Sequence, residues 1–227
     1  MQINEIILQT HLINDLKNFY GSVLNLEISS DNDDSFSVNA GASQIRFENS
    51  AGNAKPFYHF AFNIPENKLN PAKKWLQSKA ELIKSPEDGK DEFHFQSWNA
   101  HSIFFYDPAG NILELIARHN LKNSTADDFT ERDILNVSEI GVPVNSLRNI
   151  SDLMNETYGI PLFSGDNETF SAMGNDNGLF ILVKNGRRWF PDCPEAQIFP
   201  LSIKVNCSMM NGYYSDEPDL KIAFLKV

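Results

Sequence analysis

Residues 104–115 read FFYDPAGNILEL, an aromatic run that leads through a tight turn into a strand with one carboxylate among aliphatic side chains. Asp, Pro, Gly and Asn in the DPAGN segment are turn-forming residues, so they predict two strands joined by a turn. Side chains alternate between the faces of a strand, which places Glu114 on the same face as Ile112 and Ile116. A buried carboxylate on that face needs a partner.

The order strand, helix, several short strands recurs along the chain. Unit 1 (residues 3–49) has the strand INEIILQT, the helix NDLKNFYGSVLNL and the strands SFSVNA and SQIRFEN. Unit 2 (57–118) has the strand FYHFAFNIP, the helix NPAKKWLQSKAEL and the strands EFHFQSW, HSIFFYD and NILELIAR. Each pattern predicts a βαβββ unit.

Units 3 and 4 follow a polar segment. Unit 3 (135–186) has the strand LNVSEIGVPV, the helix NISDLMNETYG and the strands TFSAMG and GLFILVKNG, whereas unit 4 (197–227) has only QIFPLSIKVNC and LKIAFLKV around a short stretch rich in helix-breaking residues. The polar segment HNLKNSTADDFTERD lacks an apolar period and predicts a linker. We therefore predict one domain at 1–118, a linker at 119–133 and a second domain at 134–227 with a truncated last unit.

One such unit cannot bury a sheet face by itself. We expect the units to pair into curved mixed sheets of an α+β fold, with the helices outside and each sheet curved around a cup. Ligands bind preferentially in such concave surfaces.

Composition narrows the class of ligand. A net charge of −11 argues against nucleic acid and against anionic membrane surfaces, because both favour basic patches. No apolar run approaches the ~20 residues that span a membrane, and the N-terminus lacks a secretory pattern, so we expect a cytoplasmic protein without membrane attachment. Cys193 and Cys207 are expected to be free thiols. A small molecule is the expected partner.

The cup-facing polar residues suggest a metal site. His59 alternates with the apolar Tyr58 and Phe60, so it is expected to point into the cup, and Glu5 holds the corresponding position in unit 1. An imidazole and carboxylates from separate strands can converge with Glu114 on a divalent ion. The competing interpretation is a solvated glutamate and a hydrogen-bonded core histidine.

Three motifs resemble one superfamily. YDPAGNILEL is similar to the D-P-x-G-N-x-x-E ending of the glyoxalase, bleomycin-resistance and extradiol-dioxygenase (vicinal oxygen chelate) superfamily. NDLKNFYGSVLNLEI resembles its opening helix, and HFAFNIP resembles its H-x-A-F-x-V strand. The resemblance covers residues 3–118 and weakens in unit 3. It implies the fold but no particular reaction, because this fold hosts many reactions.

The resemblance also implies metal ligands. His59 and Glu114 match two of the ligands, and Glu5 stands where the superfamily usually has a histidine. The expected cofactor is a divalent metal, namely Mn, Fe, Ni or Zn, and the oxygen-rich set favours the harder ions, although loss of the metal is an alternative. A fourth ligand would be Arg46 or Glu48.

Other residues are candidates for a part in the reaction. His101 is a candidate base and Tyr106 a candidate for orienting substrate, while Glu48, Phe104, Arg187 and Trp189 are weaker candidates for substrate contact, the last two also fitting a packing strap. Phe104 replaces a tyrosine of extradiol dioxygenases, which disfavours ring cleavage by their mechanism. Glu139 holds the Glu5 position in unit 3, but its counterpart in unit 4 is Pro200, so the second cup is expected to lack a metal.

We therefore predict a metal-dependent enzyme of this superfamily, a lyase or isomerase or a dioxygenase-like enzyme, acting on a small oxygen-chelating substrate. The alternative is a metal-free protein that binds or sequesters a small molecule, as bleomycin-resistance proteins do. Association into a homodimer is a further expectation.

Overall fold

The alternating strands form two mixed sheets in a computed structural model that describes residues 1–216 and 219–226. Together with three α-helices the sheets give the α+β class, so the predicted fold class is confirmed. Sheet A contains seven strands and sheet B eight.

Sheet A is built from units 1 and 4. Its strands are β1 (Gln2–Thr10), β2 (Ile28–Asp31), β3 (Ser35–Ala40), β4 (Ser43–Asn49), β13 (Leu201–Cys207), β14 (Gly212–Asp216) and β15 (Leu220–Lys226). Their order across the sheet is β14-β15-β13-β1-β4-β3-β2, and β1 runs antiparallel to β13 and parallel to β4.

Sheet B is built from units 2 and 3. Its strands are β5 (His59–Ile64), β6 (Phe93–Phe95), β7 (Ala100–Tyr106), β8 (Ile112–Arg118), β9 (Asn136–Val144), β10 (Leu162–Gly165), β11 (Phe170–Asn175) and β12 (Gly178–Lys184). Their order is β10-β11-β12-β9-β5-β8-β7-β6, with β5 antiparallel to β9 and parallel to β8.

The helices are short. They are α1 (Ile13–Asn18), which continues into a π-helical turn at Phe19–Val23, α2 (Leu69–Gln77) and α3 (Leu147–Tyr158). Single 3₁₀ turns occur at Gln96–Trp98 and Glu131–Asp133. The described part of unit 4 contains three strands and no helix. Within the described ranges, no helix is long and apolar enough to cross a lipid bilayer.

The pairing of the units differs from their order in the chain. Each sheet joins two units through their first strands, unit 1 with unit 4 and unit 2 with unit 3. The predicted division at residues 119–133 therefore does not coincide with the division into sheets. Residues 119–133 contact α2, because the ring of Phe129 packs on that of Trp75 in α2 with centroids 5.3 Å apart.

The apolar faces of both sheets contribute to one core. Ile6 and Phe47 of sheet A and Phe60 and Phe62 of sheet B are fully buried in it, and Leu76 of α2 packs against it. Burial of this face leaves the opposite face of each sheet to line a cup.

A turn of sheet A contacts the start of β9. Gly41 has φ +58°, and a Cβ at this position would lie 2.0 Å from the backbone oxygen of Leu135. The next residue, Ala42, donates its N–H to that oxygen at 2.8 Å. Glycine is required here because a side chain would separate the two sheets.

Candidate metal centre

The register of sheet B brings three potential ligands together. Ala61 of β5 pairs with Glu114 of β8 on one side and with Glu139 of β9 on the other. His59 lies two residues before Ala61 and therefore on the same face. One ligand atom from each of His59, Glu114 and Glu139 lies within 4.8 Å of the others.

His59 presents one nitrogen to the two carboxylates. Its Nδ1 lies 3.1 Å from the backbone oxygen of Ile112, and because a carbonyl only accepts, Nδ1 carries the proton. Nε2 lies 3.8 Å from Oε2 of Glu114 and 3.9 Å from Oε2 of Glu139. A histidine whose other nitrogen donates to a carbonyl is oriented as metal-binding histidines are.

Arg118 is the fourth charged residue of the site. Its side chain is fully buried, its Nε donates to Oδ1 of Asn63 at 3.2 Å, and its Nη2 forms an ion pair with Oε1 of Glu139. Its guanidinium also lies 5.5 Å from the ring centroid of Trp98. Arg118 therefore holds one oxygen of Glu139, while the other faces His59.

The carboxylates of Glu114 and Glu139 are both buried, and their negative charges repel each other. Burial raises the pKa of Glu114 well above its usual value, and the negative charge of Glu139 raises it further, while Arg118 opposes both effects. A bound divalent cation would relieve this repulsion, because buried charges are stable when they are paired or bind metal. The three donor atoms therefore fit a divalent ion.

Sheet B offers no fourth side-chain ligand at the expected place. Gly141 pairs with Ile181 in unit 3 as Ala61 pairs with Glu114 in unit 2. Ile181 lines the cavity but has no donor atom. Three protein ligands would leave coordination positions open, as catalytic metal sites require.

Glu5 does not lie with His59 and Glu114. It belongs to sheet A, where its carboxylate pairs with Nζ of Lys204 at 2.8 Å. Glu48 and Arg46 also lie in sheet A and form an ion pair with each other at 2.8 Å. Glu5 was predicted as a ligand on the assumption that units 1 and 2 form one cup. In the structure, units 2 and 3 form the cup that contains His59 and Glu114.

Glu139 takes the place in the site that was predicted for Glu5. Its strand position was recognised, but the cup of unit 3 was expected to lack a metal because the partner position in unit 4 is Pro200. The structure pairs β9 with β5 instead, so the partner of Glu139 is His59.

His101 lies away from these ligands. It pairs with Ala117 and therefore faces the helix side of β7, while Phe104 pairs with Glu114 on the cup side. Its ring stacks on His94 with centroids 4.2 Å apart, and its Nδ1 lies 2.8 Å from Nε2 of His119. Its proposed role as base in the cup does not fit this position.

Tyr106 lies at the outer end of β7 on the cup side, and its side chain is 40% exposed. Burial raises its pKa, and the neighbouring Cys193 thiol raises it further. It does not line the cavity next to His59. A role in orienting substrate stays a prediction.

A cavity of about 260 Å³ opens directly above His59, Glu114 and Glu139. Three of the residues that line it were predicted to contact substrate, namely Phe104, Arg187 and Trp189. The other lining residues were not predicted from the sequence and are Phe95, Trp98, Ser164, Phe170, Ile181 and Phe190. The Trp189 ring packs beside the His59 ring with centroids 5.1 Å apart. The segment 186–197 is thus both a packing strap and one wall of the cavity.

A larger cavity of about 770 Å³ lies elsewhere, at the opposite ends of the strands. Asn136 and Asn206 line it, and their side chains already bond to Asn177 and Asn4. No group of three metal-binding side chains is found there among the residues that the structure describes. The smaller cavity is therefore the candidate functional site.

Solved structures of two proteins resemble the whole chain. A proposed dioxygenase from Bacillus subtilis subsp. subtilis strain 168 matches with a TM-score of 0.63 and 14% identity, covering 99% of this chain and 85% of that one. A glyoxalase I mutant, V278E, from Zea mays matches with a TM-score of 0.58 and 11% identity, covering 99% of this chain and 92% of that one.

Comparisons with protein-family models and with curated proteins give no match. At these identities, the structural likeness establishes the fold. It agrees with the three motifs and with the two sheets of paired units. The chain has the fold of the glyoxalase, bleomycin-resistance and extradiol-dioxygenase (vicinal oxygen chelate) superfamily.

Proposed function

We propose that the protein is a divalent-metal-dependent enzyme that acts on a small oxygen-chelating substrate, in a lyase, isomerase or dioxygenase-like reaction. The observation that carries this proposal is the convergence of His59 Nε2 with the carboxylates of Glu114 and Glu139 at the base of one cavity. The bound ion, Mn, Fe, Ni or Zn, would act as a Lewis acid on the substrate oxygens.

Glu114 is the group that we propose to move a proton. It is buried beside the cavity, and burial raises its pKa, which makes it a stronger proton acceptor than an exposed carboxylate. Phe104 lies directly across from it in β7 and cannot transfer a proton. This favours proton transfer by a carboxylate over the tyrosine-assisted route of extradiol dioxygenases.

The aromatic walls have a separate role. Trp98, Phe104 and Trp189 exclude water from the space above the ligands and thereby strengthen the electrostatic interactions within it. Arg118 holds Glu139 in place from below.

Metal-free binding of a small molecule is the second candidate. The Arg118–Glu139 ion pair favours it, because this pair balances one buried carboxylate without a metal. A protonated Glu114 would balance the other. In that case the cavity would hold an apolar ligand between aromatic rings.

Metal analysis decides between the two candidates. The chain is stripped with chelator, reconstituted with Mn, Fe, Ni or Zn and analysed for bound metal after removal of the excess. We expect one ion per chain in the wild type and in Glu5→Gln, and loss of the ion in His59→Ala. Absence of bound metal in the wild type under all four conditions would exclude the enzyme as proposed.

Location and assembly belong to the same proposal. We propose a cytoplasmic protein that associates into a homodimer. Light scattering coupled to size-exclusion chromatography tests the dimer.

A further inference from the structure

Arg118 lies between two carboxylates, those of Glu139 and Asp176. Its Nη2 forms the ion pair with Oε1 of Glu139, whereas its Nη1 lies 3.8 Å from Oδ1 of Asp176. That distance is too long for a charged hydrogen bond, which joins such atoms at about 2.7–2.9 Å. One side of the guanidinium is therefore bound, and the other side faces a carboxylate that it does not reach.

The two atoms that face each other across this gap are buried. In the part of the chain that the structure describes, Nη1 of Arg118 and Oδ1 of Asp176 have no hydrogen-bond partner. Buried polar atoms without a partner are rare, because each has lost its bonds to water. A shift of the guanidinium by about 1 Å would satisfy both atoms together.

Asp176 is fixed in the turn between β11 and β12. Its backbone oxygen accepts from Nδ2 of Asn63 at 2.8 Å, and the backbone oxygen of Asn177 accepts from Nδ2 of Asn136 at 2.9 Å. Asn63 also accepts from Nε of Arg118 at 3.2 Å. One asparagine thus bonds to both Arg118 and Asp176 and keeps them next to each other.

Burial explains which carboxylate Arg118 takes. The side chain of Glu139 is 4% exposed and that of Asp176 is 21% exposed. Water therefore stabilises the charge of Asp176 more than that of Glu139, and the more buried carboxylate has the greater need of a partner. Arg118 pairs with Glu139 for this reason.

A divalent ion would change this balance of charges. Glu114 and Glu139 carry one negative charge each when they bind the ion, and the ion neutralises both, since His59 is a neutral donor in the tautomer described above. The charges that remain are those of Arg118 and Asp176, and they also sum to zero. If Arg118 stayed on Glu139, two cations would share one carboxylate and repel each other.

We propose that Arg118 and the divalent ion compete for Glu139, and that Asp176 accepts the guanidinium of Arg118 when the ion binds. Asp176 is thus a positioning residue, because it acts on the ion through Arg118. The inference rests on the proposed function, since the exchange of partners requires a bound ion. It adds that Arg118 weakens the hold of the three ligands on the metal and that Asp176 restores part of it.

Zinc affinities in a double-mutant cycle test the exchange. Arg118→Met removes the competitor, so it should bind Zn²⁺ about 10- to 100-fold more tightly than the wild type. Asp176→Asn takes away the second partner of the guanidinium, so it should bind Zn²⁺ about 10-fold more weakly. In the Arg118→Met background, Asp176→Asn should change the affinity less than about threefold. Competition with a chromophoric chelator measures each affinity, and binding that persists in His59→Ala is subtracted.

This dependence on Arg118 separates the exchange from a general effect of charge. Asp152→Asn removes an exposed carboxylate from α3 and should leave the affinity unchanged within about twofold. Equal losses from Asp176→Asn in the two backgrounds would mean that Asp176 acts only as a distant charge, and would overturn the proposal. A melting curve verifies folding, and Arg118→Gln provides the neutral background if Arg118→Met does not fold.

A crystal structure of the wild type with Zn²⁺ tests the same exchange without any substitution. Nη1 of Arg118 should lie within about 3.0 Å of Oδ1 of Asp176 when zinc is bound. A distance that stays near 3.8 Å beside a bound ion would overturn the proposal. In that case only this inference fails, whereas a wild type that takes up no metal would contradict the proposed function as well.

Discussion

Nε2 of His59 and Oε2 of Glu139 lie 3.9 Å apart, although one residue belongs to the second βαβββ unit and the other to the third. Their strands, β5 and β9, are antiparallel neighbours at the centre of sheet B. The site is therefore assembled where two units join, and the segment 119–133 connects the strands that carry its ligands.

This relationship predicts different effects for two glutamates at equivalent strand positions. Glu139→Gln should weaken divalent metal binding by at least about 100-fold, since removing a direct ligand costs more than the 10- to 100-fold typical of residues behind the ligands. Glu5→Gln should change it less than about threefold, because Glu5 pairs with Lys204 in the other sheet. Titration calorimetry with Mn²⁺ measures both. Comparable losses in the two variants would show that Glu139 has no special role.

Arg118 should stabilise the metal-free fold through Glu139. Arg118→Met leaves a buried carboxylate without its partner, so the free energy of unfolding should fall by about 3–5 kcal/mol. In Arg118→Met/Glu139→Gln the loss should be smaller than in Arg118→Met alone, since the buried carboxylate that pairs with Arg118 Nη2 is removed as well. Urea unfolding of chelator-treated protein measures the cycle. Strict additivity of the two substitutions would contradict the ion pair.

Gly141 should control the position of Trp189. A Cβ at Gly141 would lie 2.6 Å from Cη2 of Trp189, so Gly141→Ala should displace the indole from the cavity wall and cost about 1–3 kcal/mol of stability. The tryptophan emission should shift to longer wavelength as the indole meets water. Adding Trp189→Phe should recover part of the stability, because the smaller ring leaves room for the methyl group. No recovery in the double variant would mean that the clash lies elsewhere.

Asp107 in the DPAGN turn should make stability depend on pH. Burial raises its pKa to about 6, although donors on Asn111 and Tyr20 oppose the shift. A raised pKa in the folded state means that the contribution is fully present below about pH 4 and is lost as the pH rises through 6. The unfolding free energy of the wild type minus that of Asp107→Asn should therefore fall by about 2 kcal/mol between pH 4 and 7. A constant difference over this range would contradict the shifted pKa.

The sequence predicted the fold from local patterns. Alternation placed His59 and Glu114 on the face opposite Phe60 and Leu113, and the sheet has them there because the apolar face packs on the core. The turn residues around Gly110 marked the strand ends. These features are local, since they depend on side chains two to four residues apart.

Two features of the site could not be predicted in this way. Glu5 and Glu139 hold the same position in their units, and the choice between them depends on which first strands pair, a contact between segments far apart in the chain. Arg118 shares a strand face with Glu114, but arginine is seldom fully buried, so its position alone did not indicate an ion pair within the site.

We propose that one divalent ion binds between His59, Glu114 and Glu139. Crystals grown with Mn²⁺, with data collected near the manganese absorption edge, test it most directly. We expect an anomalous peak within coordination distance of His59 Nε2 and of one oxygen from each glutamate. A saturated crystal with no peak at this position, or with its peak beside Glu5, would contradict the account.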